Sequence, residues 1–108
     1  MMATMYRTAT QYVANAITLR RGTYGDITLV GVYHDTDPSV IPNVSDFTEV
    51  LLVNEEDELG ETGFTDVLSL IGPRGGVETL APGDYQRYVL VSTATEDIIE
   101  RVDVLTIL

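Results

Sequence analysis

From residue 15 onward the chain alternates apolar and polar positions in short runs broken by glycine, proline and acidic clusters, the period-two signature of β-structure. Ala16-Ile17-Thr18-Leu19-Arg20 reads as a short strand and Arg21-Gly22-Thr23-Tyr24-Gly25 as a glycine turn. Asp26–His34 reads as a long strand, with Ile27, Leu29 and Tyr33 on one face and Thr28, Val30 and Val32 on the other. Gly31 inside it signals a bulge or a close backbone approach. After a turn at Asp35–Ser39, a loop through Pro42-Asn43 leads to a strand at Phe47–Val53. Asn54–Gly63 is an acidic loop, Phe64–Ile71 another strand, and Gly72-Pro73-Arg74-Gly75-Gly76 a strong breaker. Val77–Leu80 fits a short edge strand, Tyr85–Val91 a clear strand, and Ile98–Leu108 the last, with Thr93–Asp97 turning between them.

That makes about seven strands with turn signals at short spacing, which predicts an all-β, antiparallel Ig-like or fibronectin-like β-sandwich. Residues 1–14 stand apart. They are rich in Thr, Ala and Met, contain no acid and do not alternate. They are read as an N-terminal arm, frayed, docked on a neighbour, or helical with Met5, Tyr12 and Val13 roughly on one face, with the sandwich proper spanning residues 15–108. No internal repeat or low-complexity segment is visible.

Charge sharpens the picture. The chain has 108 residues, no Lys and a formal net charge of −11. Between Arg21 and Arg74 there is no Lys or Arg, while Asp26, Asp35, Asp37, Asp46, Glu49, Glu55, Glu56, Asp57, Glu58, Glu61 and Asp66 all fall there. The first 21 residues carry only Arg7, Arg20 and Arg21. A basic head followed by an acidic middle disfavours nucleic acid, which needs clustered cations, and anionic membrane for the same reason. With 44% hydrophobic and 21% charged residues the composition is globular, and no apolar run reaches the ~20 residues of a membrane span. The N-terminus lacks the charged-then-apolar layout of a signal peptide, so a soluble protein not exported by its own signal is expected.

Candidate chemistry is sparse. There is one His and no Cys, so disulfides and thiolate metal sites are excluded. No Gly-x-Ser-x-Gly elbow occurs, and Gly72–Gly76 lacks the Lys-Ser/Thr of a phosphate loop. No catalytic residue, cofactor or metal ligand is assigned. His34, Asp35 and Asp37, or the run Glu55–Glu58 with Glu61, offer oxygen ligands for Ca²⁺, but neither has EF-hand spacing. Asn43-Val44-Ser45 fits a glycosylation sequon and carries little weight without a signal peptide. The acidic run is either a solubilising loop or a surface that meets an Arg-rich partner. In the second case Arg7, Arg20 and Arg21 of another copy are the natural complement to Glu55, Glu56, Asp57 and Glu58. Met1, Met2, Met5, Tyr6 and Tyr12 would add apolar contact, since exposed ion pairs contribute only ~0–1 kcal/mol each.

Leu80-Ala81-Pro82-Gly83-Asp84-Tyr85 resembles the tyrosine corner of Ig-like and fibronectin-like sandwiches, in which a Tyr opening a late strand sends its hydroxyl back to the upstream backbone. Leu80, Pro82, Gly83 and Tyr85 would define it. The Cys–Trp–Cys core of antibody domains is absent. Ile17–Gly22 followed by Asp26–Val30, and Pro82–Tyr85 followed by Tyr88–Ser92 and Arg101–Leu108, resemble in layout the small Ig-like domains of tailed-phage virion proteins. Asn43–Phe47 departs from the more regular segment those domains carry. The resemblance implies a non-enzymatic virion structural protein, assembled in the host cytoplasm. The head side, as capsid decoration, minor capsid subunit or head–tail connection, is preferred. Partners would be other virion subunits or copies of itself in a symmetric multi-copy assembly. The alternative is a ligand- or carbohydrate-binding module of a tail, baseplate or cell surface, using Tyr24, Tyr33 and Tyr88.

Overall fold

The computed structural model describes residues 2–16, 27–56, 62–76 and 78–108. The predicted strand at 16–20, apart from Ala16, and the turn at 21–25 lie outside the described residues, as do Arg20, Arg21, Asp57 and Glu58.

The described residues form an all-β fold with eight strands: β1 (Met2–Met5), β2 (Gln11–Ala16), β3 (Ile27–Asp35), β4 (Thr48–Glu49), β5 (Leu51–Glu56), β6 (Thr62–Ile71), β7 (Gly83–Thr93) and β8 (Asp97–Ile107). A five-stranded sheet has the order β1-β8-β7-β3-β4, and a three-stranded sheet the order β2-β6-β5. Two apolar clusters join the sheets. Met5, Val13, Ile71, Leu105 and Ile107 form the first. Val30, Val32, Val67, Val89 and Val91 form the second. Each cluster draws on both sheets, so hydrophobic burial between them holds the two layers together.

Three expectations are corrected. Residues 1–14 are not an arm appended to a sandwich that starts at residue 15. Met2–Met5 pairs with β8, and Gln11–Ala16 pairs with β6 from Gln11↔Ile71 to Ala16↔Asp66. Met5 and Val13 are buried core residues. The chain reaches the core here with few apolar residues because each short strand buries only one of its faces. Second, the β1–β8 pairing is parallel, so the larger sheet is mixed rather than antiparallel. Third, the single strand expected at Phe47–Val53 is divided. Thr48–Glu49 pairs with β3, and Leu51–Glu56 pairs with β6 in the other sheet. Val50, whose N–H donates to the Val30 carbonyl at 3.0 Å, marks the crossing. The acidic segment begins within β5, which includes Asn54, Glu55 and Glu56. Of the edge strand expected at Val77–Leu80, the described residues 78–80 show one isolated parallel bridge, from Glu78 to Ile71, and no strand.

Other details follow from local sequence. Gly31 faces β4 closely, since a Cβ there would lie 3.1 Å from both Phe47 Cβ and the Thr48 carbonyl oxygen. A register shift between the Arg87 and Tyr88 pairings leaves Val102 without a β7 partner, and it packs on the second cluster while Leu105 and Ile107 enter the first. The β3–β4 connection folds over the outer face of the larger sheet. Tyr88 Oη donates to the Val40 carbonyl at 3.1 Å, and the Tyr33 ring sits 6.0 Å from Phe47 and 6.2 Å from Tyr88 between centroids. The turn before β7 closes on itself, with Tyr85 Oη donating to the Ala81 carbonyl at 2.8 Å while the ring and Leu80 pack against the first cluster.

Candidate functional site

Between the two sheets a polar chain separates the two apolar clusters. Along β7, Tyr85 packs on one cluster and Val89 belongs to the other, and Arg87 lies between them on the same inward-facing period. Its side chain is fully buried. Nε donates to Asn15 Oδ1 at 2.6 Å and Nη2 to the Val13 carbonyl at 3.2 Å, so the guanidinium ties β7 to β2 in the other sheet. Nη1 lies 2.9 Å from His34 Nε2, and His34 Nδ1 lies 2.5 Å from Glu78 Oε1. A guanidinium has no acceptor, so Nε2 must accept and the ring proton must sit on Nδ1, donated to the carboxylate. Asn15 Nδ2 donates to Asp103 Oδ2 at 3.1 Å. Burial pushes the Arg87 guanidinium down to about 10, while Asp103 and then Glu78 hold it up. It therefore remains a cation at neutral pH.

His34 beside Glu78 has the composition of an acid–base pair, but the imidazole is fully buried and both its nitrogens are committed. A general base must reach a proton on a substrate, and this ring reaches none. The network holds the two sheets together. The same geometry removes His34 from the His34, Asp35 and Asp37 group weighed for Ca²⁺. His34 turns inward, whereas Asp35 accepts from Tyr33 Oη and the Asp37 N–H, and Asp37 accepts from the Ser39 N–H and hydroxyl. Tyr33 and Tyr88 do not form an exposed aromatic platform, since Tyr88 is buried and Tyr33 half-buried. Tyr24 lies outside the described residues.

On the surface, a groove of about 690 Å³ runs between the β1–β2 connection and the β6–β7 connection. Arg7 and Thr8 line one side, Pro73 and Arg74 another, and Leu80, Ala81 and Pro82 add an apolar wall. Both connections are fixed by backbone bonding. Arg7 N–H donates to the Leu108 carbonyl at 3.0 Å, and Arg74 N–H donates to Thr10 Oγ1 at 3.0 Å. Gly72, with φ of +135°, lies against the Ala9–Thr10 backbone and brings the two connections together. The guanidiniums of Arg7 and Arg74 have no hydrogen-bond or ion-pair partner among the described residues. The other two described arginines are engaged, Arg87 in the core and Arg101 with Gln86 Oε1 at 3.4 Å. Two exposed, unpaired cations beside an apolar wall suit a carboxylate-bearing surface.

Of the residues expected to dock a partner, Arg7 lines this groove. Tyr6 and Tyr12 are exposed at 68% and 58%, whereas Met5 is buried in the core and withdrawn from docking. Glu55 and Glu56 occupy the end of β5 at a sheet edge. The side chain of Met2 lies outside the described set, although its backbone belongs to β1. Leu80 and Pro82 of the Tyr85 corner share the groove wall, so the corner and the groove are one structure. Arg74 is not singled out by sequence because Gly72–Gly76 reads as a breaker and lacks the Lys-Ser/Thr of a phosphate loop. The available signal was a cation held in a short turn of glycine and proline.

Comparison with known proteins returns no matching family model, no matching curated protein and no matching solved structure.

Proposed function

We propose that this protein is a non-enzymatic structural subunit of a tailed-phage particle, associated with the head as decoration, minor capsid subunit or head–tail joining piece. It docks an acidic partner surface in the Arg7–Arg74 groove. The groove carries this reading: in a chain of net charge −11, both described arginines that lack a partner line one depression beside Leu80 and Pro82. Charge complementarity at such a surface steers association and selects the partner, while the apolar wall supplies contact area.

The fold supports the structural role. Two packed layers, β1-β8-β7-β3-β4 over β2-β6-β5, and a tyrosine hydroxyl closing the turn before β7 support reading the fold as an Ig-like sandwich, one whose larger sheet is mixed by the parallel β1–β8 pairing. Such sandwiches serve many functions, so the virion assignment rests on the layout resemblance together with the docking surface. The carbohydrate-binding alternative loses support from the burial of Tyr88 and the engagement of Tyr33 with Asp35.

The test is density-gradient fractionation of lysates from cells that produce the protein together with phage. Wild type is expected to travel with the particles, and Arg7→Glu/Arg74→Glu to stay in the slow fractions while retaining its β-sheet circular dichroism. Wild type confined to the slow fractions would overturn the assignment. A charge-reversed protein that still travels with particles would remove the groove from it.

A further inference from the structure

Among the described residues the two sheets leave four edges: β1 and β4 on the larger sheet, β2 and β5 on the smaller. Free edges invite pairing unless they are short, charged or covered. β4 has 2 residues and β1 has 4. β5 ends in Glu55 and Glu56. β2 has neither protection. It is 6 residues long, Gln-Tyr-Val-Ala-Asn-Ala, with no charge and no proline, and among the described residues it pairs only with β6.

Over Tyr12–Ala14 the register positions on the outer face beside this edge are apolar, with Asp66 opposite Ala16 at the strand's end. Register places Tyr12 opposite Leu70, and Ala14 opposite Leu68, whose other neighbour is Leu51. Tyr12 and Leu51 are each 58% exposed, and Ala14 is exposed. Val13 and Asn15 point the other way, into the core and the Arg87 network.

We propose that β2 pairs with β2 of a second copy, antiparallel about a two-fold axis at Val13. The result is a continuous six-stranded sheet, three strands from each copy. Two arguments select a second copy as the occupant. A charged partner strand gains nothing at an uncharged edge, whereas two molecules of net charge −11 approach at least cost through an edge that carries no charge. The strand is also self-complementary. Opposed residues in antiparallel strands share a face, so inward positions must meet inward positions. The axis at Val13 meets that condition and sets Tyr12 of each copy against Ala14 of the other. A large ring then packs beside a methyl group twice over, and the outward apolar faces become continuous. This pairing is independent of the Arg7–Arg74 groove and of the phage assignment.

Sedimentation velocity across a salt series tests it. The wild-type dimer is expected to strengthen as salt screens the repulsion between the copies, the opposite sign to docking through arginines. Arg7→Glu/Arg74→Glu should still dimerise. Tyr12→Glu/Ala14→Glu, at two exposed positions, sets acid against acid across the axis and should weaken the dimer about tenfold or more. The register has its own test, because the chain contains no cysteine. Directly opposed antiparallel residues have Cα atoms ~4.5–5.5 Å apart, within the range a disulfide spans. Tyr12→Cys mixed with Ala14→Cys should form the mixed disulfide under mild oxidation, while neither variant cross-links efficiently with itself. A monomer at every salt and protein concentration overturns the pairing, and preferential self-cross-linking of either cysteine variant overturns the register.

Discussion

At the scale of single residues, Arg87 sets the interior. Arg87→Met keeps much of the length but removes the guanidinium donor from Asn15 Oδ1 and His34 Nε2, and leaves the Val13 carbonyl only the longer bond from Ser69 Oγ at 3.5 Å. Removing one member of such a buried network costs about 3–5 kcal/mol, which urea denaturation would register. A loss under about 1 kcal/mol would mean that the network contributes little to holding the sheets. Tyr33 offers a titration signature. Its hydrogen bond to Asp35, aided by burial, pushes the phenol up to about 12 from the usual 10.0. A group raised in the folded state adds stability that is fully present below its unfolded pKa. This contribution therefore falls away between pH 10.0 and about 12. Absorbance at 295 nm should show a tyrosine step near pH 12, and Tyr33→Phe should delete it. Tyr85→Phe removes the bond to the Ala81 carbonyl and should cost about 1 kcal/mol in denaturant. Gly72→Ala drives a methyl group into the Ala9–Thr10 backbone at a φ that side chains rarely adopt, and should destabilise more than either tyrosine change.

At the scale of elements, the strands with strong alternation were legible, and those buried on one side by a few residues were not. Val30 and Val32 announced β3, and Val89 and Val91 announced β7. The same period carried back from Val89 places Arg87 inward, a signal present in Tyr85-Gln86-Arg87-Tyr88-Val89 but easily read as a surface charge. β1 contributes Met5 to the core and β2 contributes Val13, too little for periodicity to register. The parallel pairing of β1 with β8 joins the two ends of the chain, and nothing local in Met2–Met5 encodes a partner about a hundred residues away. The groove was hidden for the same reason. Arg7 was visible as part of a basic head, but its convergence with Arg74 depends on Gly72 meeting the Ala9–Thr10 backbone. Because β1 is integral, Met5→Ala should behave as a core truncation, costing about 2–5 kcal/mol by chemical denaturation. A neutral result would restore the picture of a dispensable arm.

At the scale of the whole molecule, charge is unevenly spent. Eleven acids fall between Arg21 and Arg74 in the sequence, while among the described residues the unpaired arginines gather at one groove and β2 offers an uncharged edge. The groove and the edge respond oppositely to salt, so assembly should be separable into an arginine-dependent contact that weakens with salt and a strand pairing that strengthens with it. A subunit with two such surfaces suits a repeating lattice, in which modest contacts are multiplied by symmetry. The most direct measurement is the number of copies of this protein per major capsid subunit in gradient-purified phage particles, by quantitative mass spectrometry. The account predicts a fixed ratio, reproducible between preparations, that matches a symmetry class of the particle. Absence from purified particles, or a trace amount that varies between preparations, would contradict it.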